Sequence, residues 1–403
     1  MRYSESRPLL VSRVPEKIVV KVTGLQENLA RGMNIVSRAV ATRSPLPVLS
    51  NVLLATEEGG LKLTAMNQQL AISVWIRASI ESDGAITVPA RLLTDFISQL
   101  PEGNVAMELD SDTDTLTVSS GRFRAKMRGI DASEFPPIPE GSTEHELKLP
   151  TDLWTEIIGQ VVVAAATDDS RPVLTGISLT LDKAFVELAA ADGYRLATRR
   201  VAADTGLTDH LQLIVPRSAM IELSHILAVD PGTVTLSLAH NASSVMFRTK
   251  DVSLVSQIID GKFPAYEQLI PASENVETRA VVNTAAFTKA TRIAALFART
   301  GQNVIKATVD ESPEGIGRIV LSANSVELGE NQGEIEASVT GPTAQIAFNY
   351  RFLSECLGTL KSERVSLALS GSSSPGLVRQ VDPKTNDDEE SFNHVIMPMH
   401  TVT

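Results

Sequence analysis

The stretch Thr87-Val-Pro-Ala-Arg-Leu-Leu-Thr-Asp-Phe-Ile-Ser-Gln-Leu100 decides the fold, because related stretches occur twice more in the chain. The counterparts are Ile214-Val-Pro-Arg-Ser-Ala-Met-Ile-Glu-Leu-Ser-His-Ile-Leu227 and Ala347-Phe-Asn-Tyr-Arg-Phe-Leu-Ser-Glu-Cys-Leu-Gly-Thr-Leu360. Each copy opens extended, continues with apolar residues at helical spacing and ends on leucine. An acid recurs at the same place in all three copies: Asp95, Glu222 and Glu355. A period of about 130 residues is far longer than that of solenoid repeats and predicts three homologous domains.

The segments around these stretches repeat as well. Apolar residues alternate after each copy, which predicts a strand with one buried face: Val105, Met107 and Leu109, then Val234, Leu236 and Leu238, then Val365, Leu367 and Leu369. Each unit also opens with a predicted helix: one with Leu25, Leu29, Val36 and Val40 on one face, then Trp154 to Ala165, then Ala286 to Ala298.

This pattern predicts an α+β fold of three tandem homologous domains, each with two helices packed on β-sheet. The expected divisions are an N-terminal extension over residues 1–16 and domains over 17–143, 144–273 and 274–403. The last two boundaries fall in polar stretches near Gly141 and Ala272.

Composition favours a cytoplasmic globular protein. The 403 residues exceed one ordinary core, and 43% hydrophobic with 21% charged residues is a normal globular balance. No apolar run approaches the roughly 20 residues of a membrane span, and no secretory signal is predicted. The single cysteine, Cys356, excludes an internal disulfide and a cysteine-based zinc site. Cys356 takes the repeat position of Phe96 and Leu223, which predicts a buried small hydrophobe.

The net charge of −12 argues against tight binding of nucleic acid through phosphate contacts. A DNA-related function must therefore concentrate its few basic groups on one face, or hold DNA by topology. Four arginines stand at loop or helix starts beside the repeated stretches. Singly each is an ordinary solvated residue, but together they could line one face: Arg43, Arg91, Arg171 and Arg217.

Candidate catalytic and metal-binding patterns fail on inspection. Asp110, Asp112 and Asp114 begin like a calcium loop, but Thr115 and Gly121 stand where glycine and glutamate are needed, so a solvated hairpin turn is predicted. Residues 371–376 do not satisfy the nucleophile-elbow pattern and are interpreted as a turn. The six histidines show no metal-ligand spacing. The prediction is no catalytic residue, no metal and no cofactor.

The strand edges of the predicted sheets bear on assembly. Three open-sheet domains in a row leave unpaired strand edges, and a head-to-tail contact between copies either closes into a ring or runs on as a filament. Closure by dimerisation is the safe solution.

The acidic run Asn386-Asp-Asp-Glu-Glu390 predicts a solvated, mobile loop.

From about Lys17 to Met399 the sequence resembles the bacterial beta sliding clamp family, the beta subunit of DNA polymerase III. Five motifs in this order carry the resemblance: Arg43-Ser-Pro-Leu-Pro-Val-Leu-Ser50, Ala191-Asp-Gly-Tyr-Arg-Leu-Ala197, Ile214-Val-Pro-Arg217, Asp260-Gly-Lys-Phe-Pro-Ala-Tyr266 and Val395-Ile-Met-Pro-Met399. The resemblance implies a homodimeric ring that encircles double-stranded DNA without sequence preference and tethers the replicative polymerase and other replication and repair proteins. It also implies a separate clamp loader, no catalytic activity or cofactor, and a cytoplasmic, nucleoid-associated location.

The same resemblance assigns functional residues. A partner-peptide groove is expected between the second and third domains, lined by Leu174, Gly193, Tyr194, Arg195, Leu196, Pro264, Leu269, Val395, Ile396, Met397, Pro398 and Met399. The DNA-facing positions are Arg43, Arg91, Arg171 and Arg217. The ring interface is expected to pair the Arg124 to Met127 strand with the Leu296–Phe297 region of a second copy, through Ala125, Met127, Leu296 and Phe297.

Two alternatives stay open at this point. Tyr194 and the ending His400-Thr-Val-Thr403 depart from the family pattern at the groove, which favours a specialised paralogous clamp with altered partner or inhibitor preference. An enzyme built on repeated domains is the other alternative, and it needs a catalytic constellation that the sequence does not contain.

Overall fold

The computed structural model describes residues 20–41, 43–57, 59–139, 146–207, 210–239, 243–300, 302–311 and 317–399. The chain forms two compact units. The first contains the described residues up to Pro139 together with Lys250–Val255, and the second contains the remainder. The expected extension over residues 1–16 and the boundary at 143/144 lie outside the described residues.

The first unit is a small α+β assembly. Its helices are α1 (Gln26–Val36) and α2 (Ala90–Gln99). Its strands are β1 (Val20–Leu25), β2 (Asn51–Glu57), β3 (Gly60–Met66), β4 (Leu70–Ser82), β5 (Ala85–Pro89), β6 (Asn104–Asp110), β7 (Thr115–Ser120), β8 (Phe123–Arg128) and β9 (Ile130–Asp131).

The sheet of the first unit is antiparallel and ends on β8. The strands run in the order β4–β1–β6–β7–β8, and β3, β2, β5 and β9 continue from β4. Helix α1 packs on the sheet because Leu29, Met33 and Val36 recur on one face and are fully buried. Strand β8 pairs with β7 on one side and stands at the end of this path, so among the described strands its other side is an edge.

The second unit holds the second and third repeats. Its helices are α3 (Thr151–Val161), α4 (Arg217–Leu227), α5 (Thr284–Ala298) and α6 (Tyr350–Thr359). Its strands are β10 (Leu147–Pro150), β11 (Gly176–Asp182), β12 (Phe185–Ala191), β13 (Arg195–Ala202), β14 (Leu211–Pro216), β15 (Thr233–Leu238), β16 (Ser244–Arg248), β17 (Val252–Gln257, shared with the first unit), β18 (Thr278–Asn283), β19 (Val304–Asp310), β20 (Gly317–Ser325), β21 (Gly329–Thr340), β22 (Ala344–Asn349), β23 (Arg364–Leu369), β24 (Gly376–Gln380) and β25 (Phe392–Ile396).

A twelve-stranded sheet joins these two repeats, in the order β14–β11–β12–β13–β25–β24–β23–β18–β21–β20–β19–β22. The junction is the antiparallel pairing of β13 with β25, in which Leu196 faces Val395 and Arg195 faces Ile396. The backbone hydrogen bonds of this pairing connect the second repeat to the third, and the two repeats form one compact unit.

The predicted strand-then-helix stretch is confirmed in all three repeats. Strands β5, β14 and β22 end where helices α2, α4 and α6 begin. The following strands β6, β15 and β23 are also confirmed, with Val105, Val234 and Val365 fully buried. Among the described residues each repeat therefore contributes two helices and a set of antiparallel strands, which confirms the α+β fold class.

Two helix predictions need correction at their ends. Helix α1 ends at Val36 and continues as a 3₁₀ turn over Ser37–Ala39, while Leu25 precedes the helix and is 44% exposed. Helix α3 likewise ends at Val161, before a 3₁₀ turn. In both cases the apolar sequence pattern extends past the end of the α-helix, because the following 3₁₀ turn also has a buried residue, Ala39 or Ala164.

Local predictions on turns and on the cysteine are confirmed. Asp110 to Asp114 form the exposed hairpin turn between β6 and β7, where Asp112 N donates to Asp110 Oδ1 at 3.1 Å and Asp114 has a positive φ of 47°. Residues 371–376 connect β23 to β24. Cys356 is completely buried, and that burial raises the pKa of its thiol.

The prediction of a solvated loop over Asn386 to Glu390 is confirmed for Asn386, Asp387 and Glu390, which are exposed, but not for the half-buried Asp388 and Glu389. Asp388 forms an ion pair with Arg279 at 2.6 Å, and Glu389 forms one with Arg199 at 2.6 Å. The side chains of Arg199 and Asp388 are only 10% and 17% exposed. The acidic run is therefore held against two strands by partly buried charge pairs.

Candidate functional site

An apolar cluster in the second unit is built jointly by the second and third repeats. Leu174, Leu196 and Phe263 come from the second repeat, and Leu377 and Val395 come from the third. The β13–β25 pairing brings the two sets together, because it places Leu196 directly opposite Val395. Three of these buried residues, Leu174, Leu196 and Val395, are among those that the sequence predicts to line a partner-peptide groove.

Several of the residues predicted to line this groove are exposed apolar side chains. Tyr194 is 65% exposed, Leu269 51% and Met397 42%, and Pro264 is exposed as well. Exposed apolar side chains around a buried apolar floor are typical of a binding site for another molecule. The thioether of Met397 can adapt to different apolar surfaces.

The turn that carries Tyr194 is fixed by its own backbone. Asp192 Oδ1 accepts from the backbone N–H groups of Tyr194, at 2.8 Å, and Arg195, at 3.0 Å. Gly193 has a φ of +92°, a conformation that side-chain-bearing residues rarely adopt. Met397 N donates to Tyr194 O at 2.9 Å, so the chain after β25 is tied to the same turn.

Arg195 crosses from the second repeat to the third. Its guanidinium pairs with Asp192 at 3.0 Å and with Glu355 on α6 at 2.5 Å, and it lies 4.4 Å over the ring of Phe352. The side chain is 8% exposed. Arg195 therefore lies beside the groove as a link between the repeats, with its guanidinium already engaged by these partners.

The predicted groove residues divide into three groups. Leu174, Leu196 and Val395 are at most 5% exposed and form the floor. Ile396 is completely buried but packs in the separate core of the third repeat, because neighbouring strand residues point to opposite faces. The remainder form the rim or its approaches: Gly193, Tyr194, Arg195, Pro264, Leu269, Met397, Pro398 and Met399.

One neighbour of the predicted groove residues was not predicted from the sequence. Phe352 stacks on Tyr194 with ring centroids 6.5 Å apart and ring planes 23° apart. Glu355 beside it was recognised only as the repeated acid. The equivalent acids of the other repeats have other partners: Asp95 lies 3.9 Å from Arg91, and Glu222 lies 3.3 Å from His225. Because the partner differs in every repeat, the repeat pattern gave no signal that Phe352 lies against Tyr194.

The four predicted DNA-facing arginines lie in different surroundings. Arg43 is exposed, and the side chain of Arg91 is 97% exposed near the start of α2. Arg217 is half-buried, and its Nε donates to Val162 O at 3.3 Å. Arg171 lies at the groove, where Nη2 donates to Asp192 O at 2.8 Å. The contact of all four arginines with DNA stays a prediction. Arg171 is also bound to the turn that carries Tyr194.

Helices α5 and α6 of the third repeat form an open cleft that the sequence did not single out. The cleft has a volume of about 810 Å³, and three exposed cations line it: Lys289, Arg292 and Lys361. Lys289 and Arg292 are three residues apart and so lie on one face of α5. Lys289, Arg292 and Lys361 are therefore further cations on or next to the helices, besides the predicted Arg91 and Arg217.

The predicted interface residues are only partly exposed. Leu296, in the last turn of α5, is 57% exposed, whereas Phe297 is half-buried against the core of the third repeat. On β8, Ala125 is half-buried and Met127 is 2% exposed. Met127 therefore packs inside its own unit, and what β8 offers a second copy is its edge and its exposed cations: Arg124, Lys126 and Arg128.

In the part of the chain that the structure describes, no group of three or more His, Cys, Asp or Glu side chains is arranged to hold a metal ion. No helix in that part of the chain combines the length and apolar character that crossing a membrane requires. His394 on β25 is fully buried, and its burial lowers the pKa to about 3, so the ring packs as a neutral group.

Three family models match consecutive parts of the chain. They describe the N-terminal, central and C-terminal domains of the DNA polymerase III beta subunit and match residues 20–139, 148–265 and 267–400. Together with the repeated fold and the groove, these matches define a non-catalytic protein of the DNA-clamp class.

Relatives and solved structures agree with this class. The chain is 33% identical to the beta sliding clamp of Synechococcus elongatus, over 94% of this chain and 99% of the relative. The crystal structure of the Bacillus subtilis DNA polymerase sliding clamp matches with a TM-score of 0.87 at 27% identity, over 95% of this chain and all of that one. The Streptococcus pyogenes beta subunit matches with a TM-score of 0.85 at 26% identity, over 94% of this chain and all of that one. The chain belongs to the beta sliding clamp family, the beta subunit of bacterial DNA polymerase III.

This membership confirms the predicted function of a DNA sliding clamp and processivity factor, without catalytic activity of its own. The similarities lend no support to the specialised-copy alternative or to an enzyme.

Proposed function

We propose that the groove around Tyr194, Leu269 and Met397 binds short apolar peptide segments of the replicative polymerase and of other replication and repair proteins. The observation that carries this proposal is the exposed apolar rim over a floor shared by two repeats. A peptide with a few apolar anchors gains affinity in such a cleft because each anchor is desolvated there. The full set of lining residues is the one predicted from the sequence, with Phe352 added.

DNA is the second partner, held inside a closed ring. The net charge of −12 supports weak, sliding contact and disfavours tight phosphate binding. The proposed contacts are the predicted Arg43, Arg91, Arg171 and Arg217. Lys289 and Arg292 on α5 are further exposed cations of the third repeat. A clamp loader driven by ATP opens the ring and closes it on DNA, at a cytoplasmic, nucleoid-associated location.

A second copy of the chain completes the ring. Strand β8 offers an unpaired edge with exposed cations, and the β20–β21 hairpin of the third repeat carries exposed acids: Glu327, Glu330, Glu334 and Glu336. Strand β20 pairs with β19 only as far as Ser322, so Ala323 to Ser325 also lack a partner on that side among the described residues. Opposite charges along two open edges favour a head-to-tail contact between copies.

The division of the chain into domains follows the repeats, at 143/144 and 273/274. The family matches at 20–139 and 148–265 support the first boundary, and the match at 267–400 begins seven residues before the proposed third domain.

The groove proposal predicts that Met397→Ala and Leu269→Ala each weaken binding of a clamp-binding peptide by on the order of tenfold or more. Both side chains are half exposed, so truncation removes a peptide contact without opening a core cavity. Leu174 is buried, and Leu174→Ala would lower stability as well as affinity. The measurement is fluorescence anisotropy with a fluorescein-labelled peptide that copies the C-terminal residues of the replicative polymerase.

Leu92→Ala is the matched control, since Leu92 is 52% exposed and lies on α2 of the first unit. It should bind the peptide like wild type. Unchanged affinity in folded Met397→Ala and Leu269→Ala proteins would mean that the peptide binds elsewhere.

The DNA proposal predicts that Arg43→Ala combined with Arg217→Ala lowers the loader-independent affinity for short duplex DNA and flattens its salt dependence. Each lost phosphate contact reduces the number of released counterions by about one. A filter-binding titration over a salt series measures both effects. Equal slopes for the variant and the wild type would remove these arginines from the DNA-facing set.

A further inference from the structure

A buried polar contact lies below the groove, at Glu187 on β12. The carboxylate of Glu187 accepts a hydrogen bond from the Tyr266 hydroxyl at Oε1 and one from Arg200 Nε, at 2.5 Å, at Oε2. The side chain of Glu187 is 9% exposed, and Tyr266 is 5% exposed. Arg200 is held in turn by Phe185, whose ring lies 4.3 Å from the guanidinium carbon. Both oxygens of a nearly buried carboxylate are thus occupied.

Tyr266 joins this contact to the rim of the groove. Its ring belongs to the apolar floor and packs edge-on against Phe263, with centroids 6.1 Å apart. Its carbonyl oxygen accepts from Leu269 N at 2.9 Å, which closes the 3₁₀ turn Glu267–Leu269. One residue therefore connects a fixed carboxylate on the sheet to the turn that presents Leu269.

The hydrogen bond has to be made for Tyr266 to occupy this place. A hydroxyl buried among apolar side chains without a partner carries a desolvation cost. The tyrosine would therefore shift towards water if Glu187 did not accept its hydrogen bond. Burial and the adjacent Glu187 both raise the pKa of Tyr266, so the hydroxyl remains a donor at physiological pH.

We infer that Glu187 and Tyr266 are positioning residues of the groove: their hydrogen bond holds the Glu267–Leu269 turn where Leu269 can contact a bound peptide. This inference rests on the proposed peptide-binding function and adds two residues that touch no peptide themselves. Arg200 contributes less, because its side chain is 54% exposed and its ion pair is screened by solvent.

Tyr266→Phe is the direct test, since it removes one hydroxyl and leaves the ring. We expect peptide affinity to fall roughly three- to tenfold, the effect of one lost buried hydrogen bond. Glu187→Ala should lower affinity similarly. Glu187→Gln should restore most of it, because the amide oxygen can still accept from Tyr266. The measurement is anisotropy titration with the fluorescein-labelled polymerase peptide, and urea unfolding reports stability.

A double-mutant cycle separates positioning from general loosening. In a Leu269→Ala background Tyr266→Phe should have no further effect on affinity, because the side chain it positions is absent. With Met397→Ala the two effects should add. Thr87→Val is the control: it removes a buried hydroxyl that donates to Ile130 O at 2.9 Å in the first unit, and it should lower stability without changing affinity.

The outcomes are distinct. If wild type binds the peptide and Tyr266→Phe binds it equally well, or if its effect adds to that of Leu269→Ala, the positioning role is overturned and the groove stands. If wild type does not bind the peptide, the groove proposal fails and this inference fails with it. If Tyr266→Phe does not fold, the comparison of Glu187→Ala with Glu187→Gln decides, and equal affinities of those two variants overturn the inference.

Discussion

Loaded onto nicked circular DNA by a clamp loader and ATP, the protein should stay bound through gel filtration and should be lost when the circle is cut. A ring linked to a circle cannot leave without opening, whereas on a linear duplex it slides off the ends. The net charge of −12 disfavours holding DNA by affinity for its phosphates. The effect of a single cut should therefore be nearly all-or-none.

Salt provides the control for this experiment. Retention on the uncut circle should persist at salt concentrations that abolish binding to a short duplex, because topology does not depend on phosphate contacts. Equal retention on circular and linear DNA, or equal loss from both with added salt, would contradict encirclement.

Leu296→Lys should convert the dimer to monomer. Leu296 is 57% exposed in the isolated chain, so its substitution leaves the core of the third repeat intact. In the proposed contact with β8 the new ammonium group would be buried and repelled by the exposed cations of that strand, at a cost of about 3 kcal/mol or more per interface. A closed dimer has two such interfaces, so the dissociation constant should rise by on the order of ten-thousandfold. Sedimentation equilibrium at micromolar concentration measures it.

Val229→Lys is the matched control for this substitution. Val229 is 54% exposed after helix α4, on no surface assigned to a partner, and it should leave the dimer unchanged. A wild-type protein that is monomeric at all concentrations, or that forms an open series of oligomers, would contradict the closed ring. Phe297 is a poorer probe than Leu296, because it is half-buried in its own core.

The fold could be predicted from the sequence because its signals are local and repeated. The stretch from Thr87 to Leu100 contains both the strand and the helix, and the copies at Ile214 and Ala347 repeat the same spacing. Burial of Val105, Val234 and Val365 follows from alternation alone. In the helices only the ends were misjudged, since the 3₁₀ turn after Val36 continues the apolar pattern.

The contacts across the chain could not be predicted in this way. Asp388 and Arg279 are 109 residues apart, and Glu389 and Arg199 are 190 apart, so no local pattern connects the acidic run with its partners. The same holds for Arg195 and Glu355, which are 160 residues apart. The groove was expected only by resemblance to a family, and Phe352, Glu187 and Tyr266 were not singled out even then.

The buried state of Cys356 has a practical consequence for labelling. Its thiol is the only one in the chain, it has no exposed surface, and its burial keeps it protonated. Maleimides and other thiol reagents attack the exposed thiolate, so the native protein is almost inert towards them. A cysteine introduced at an exposed position, such as Val229, would then be the single reactive handle. Fluorophores or crosslinkers could be placed one at a time, without first removing the natural thiol from the core.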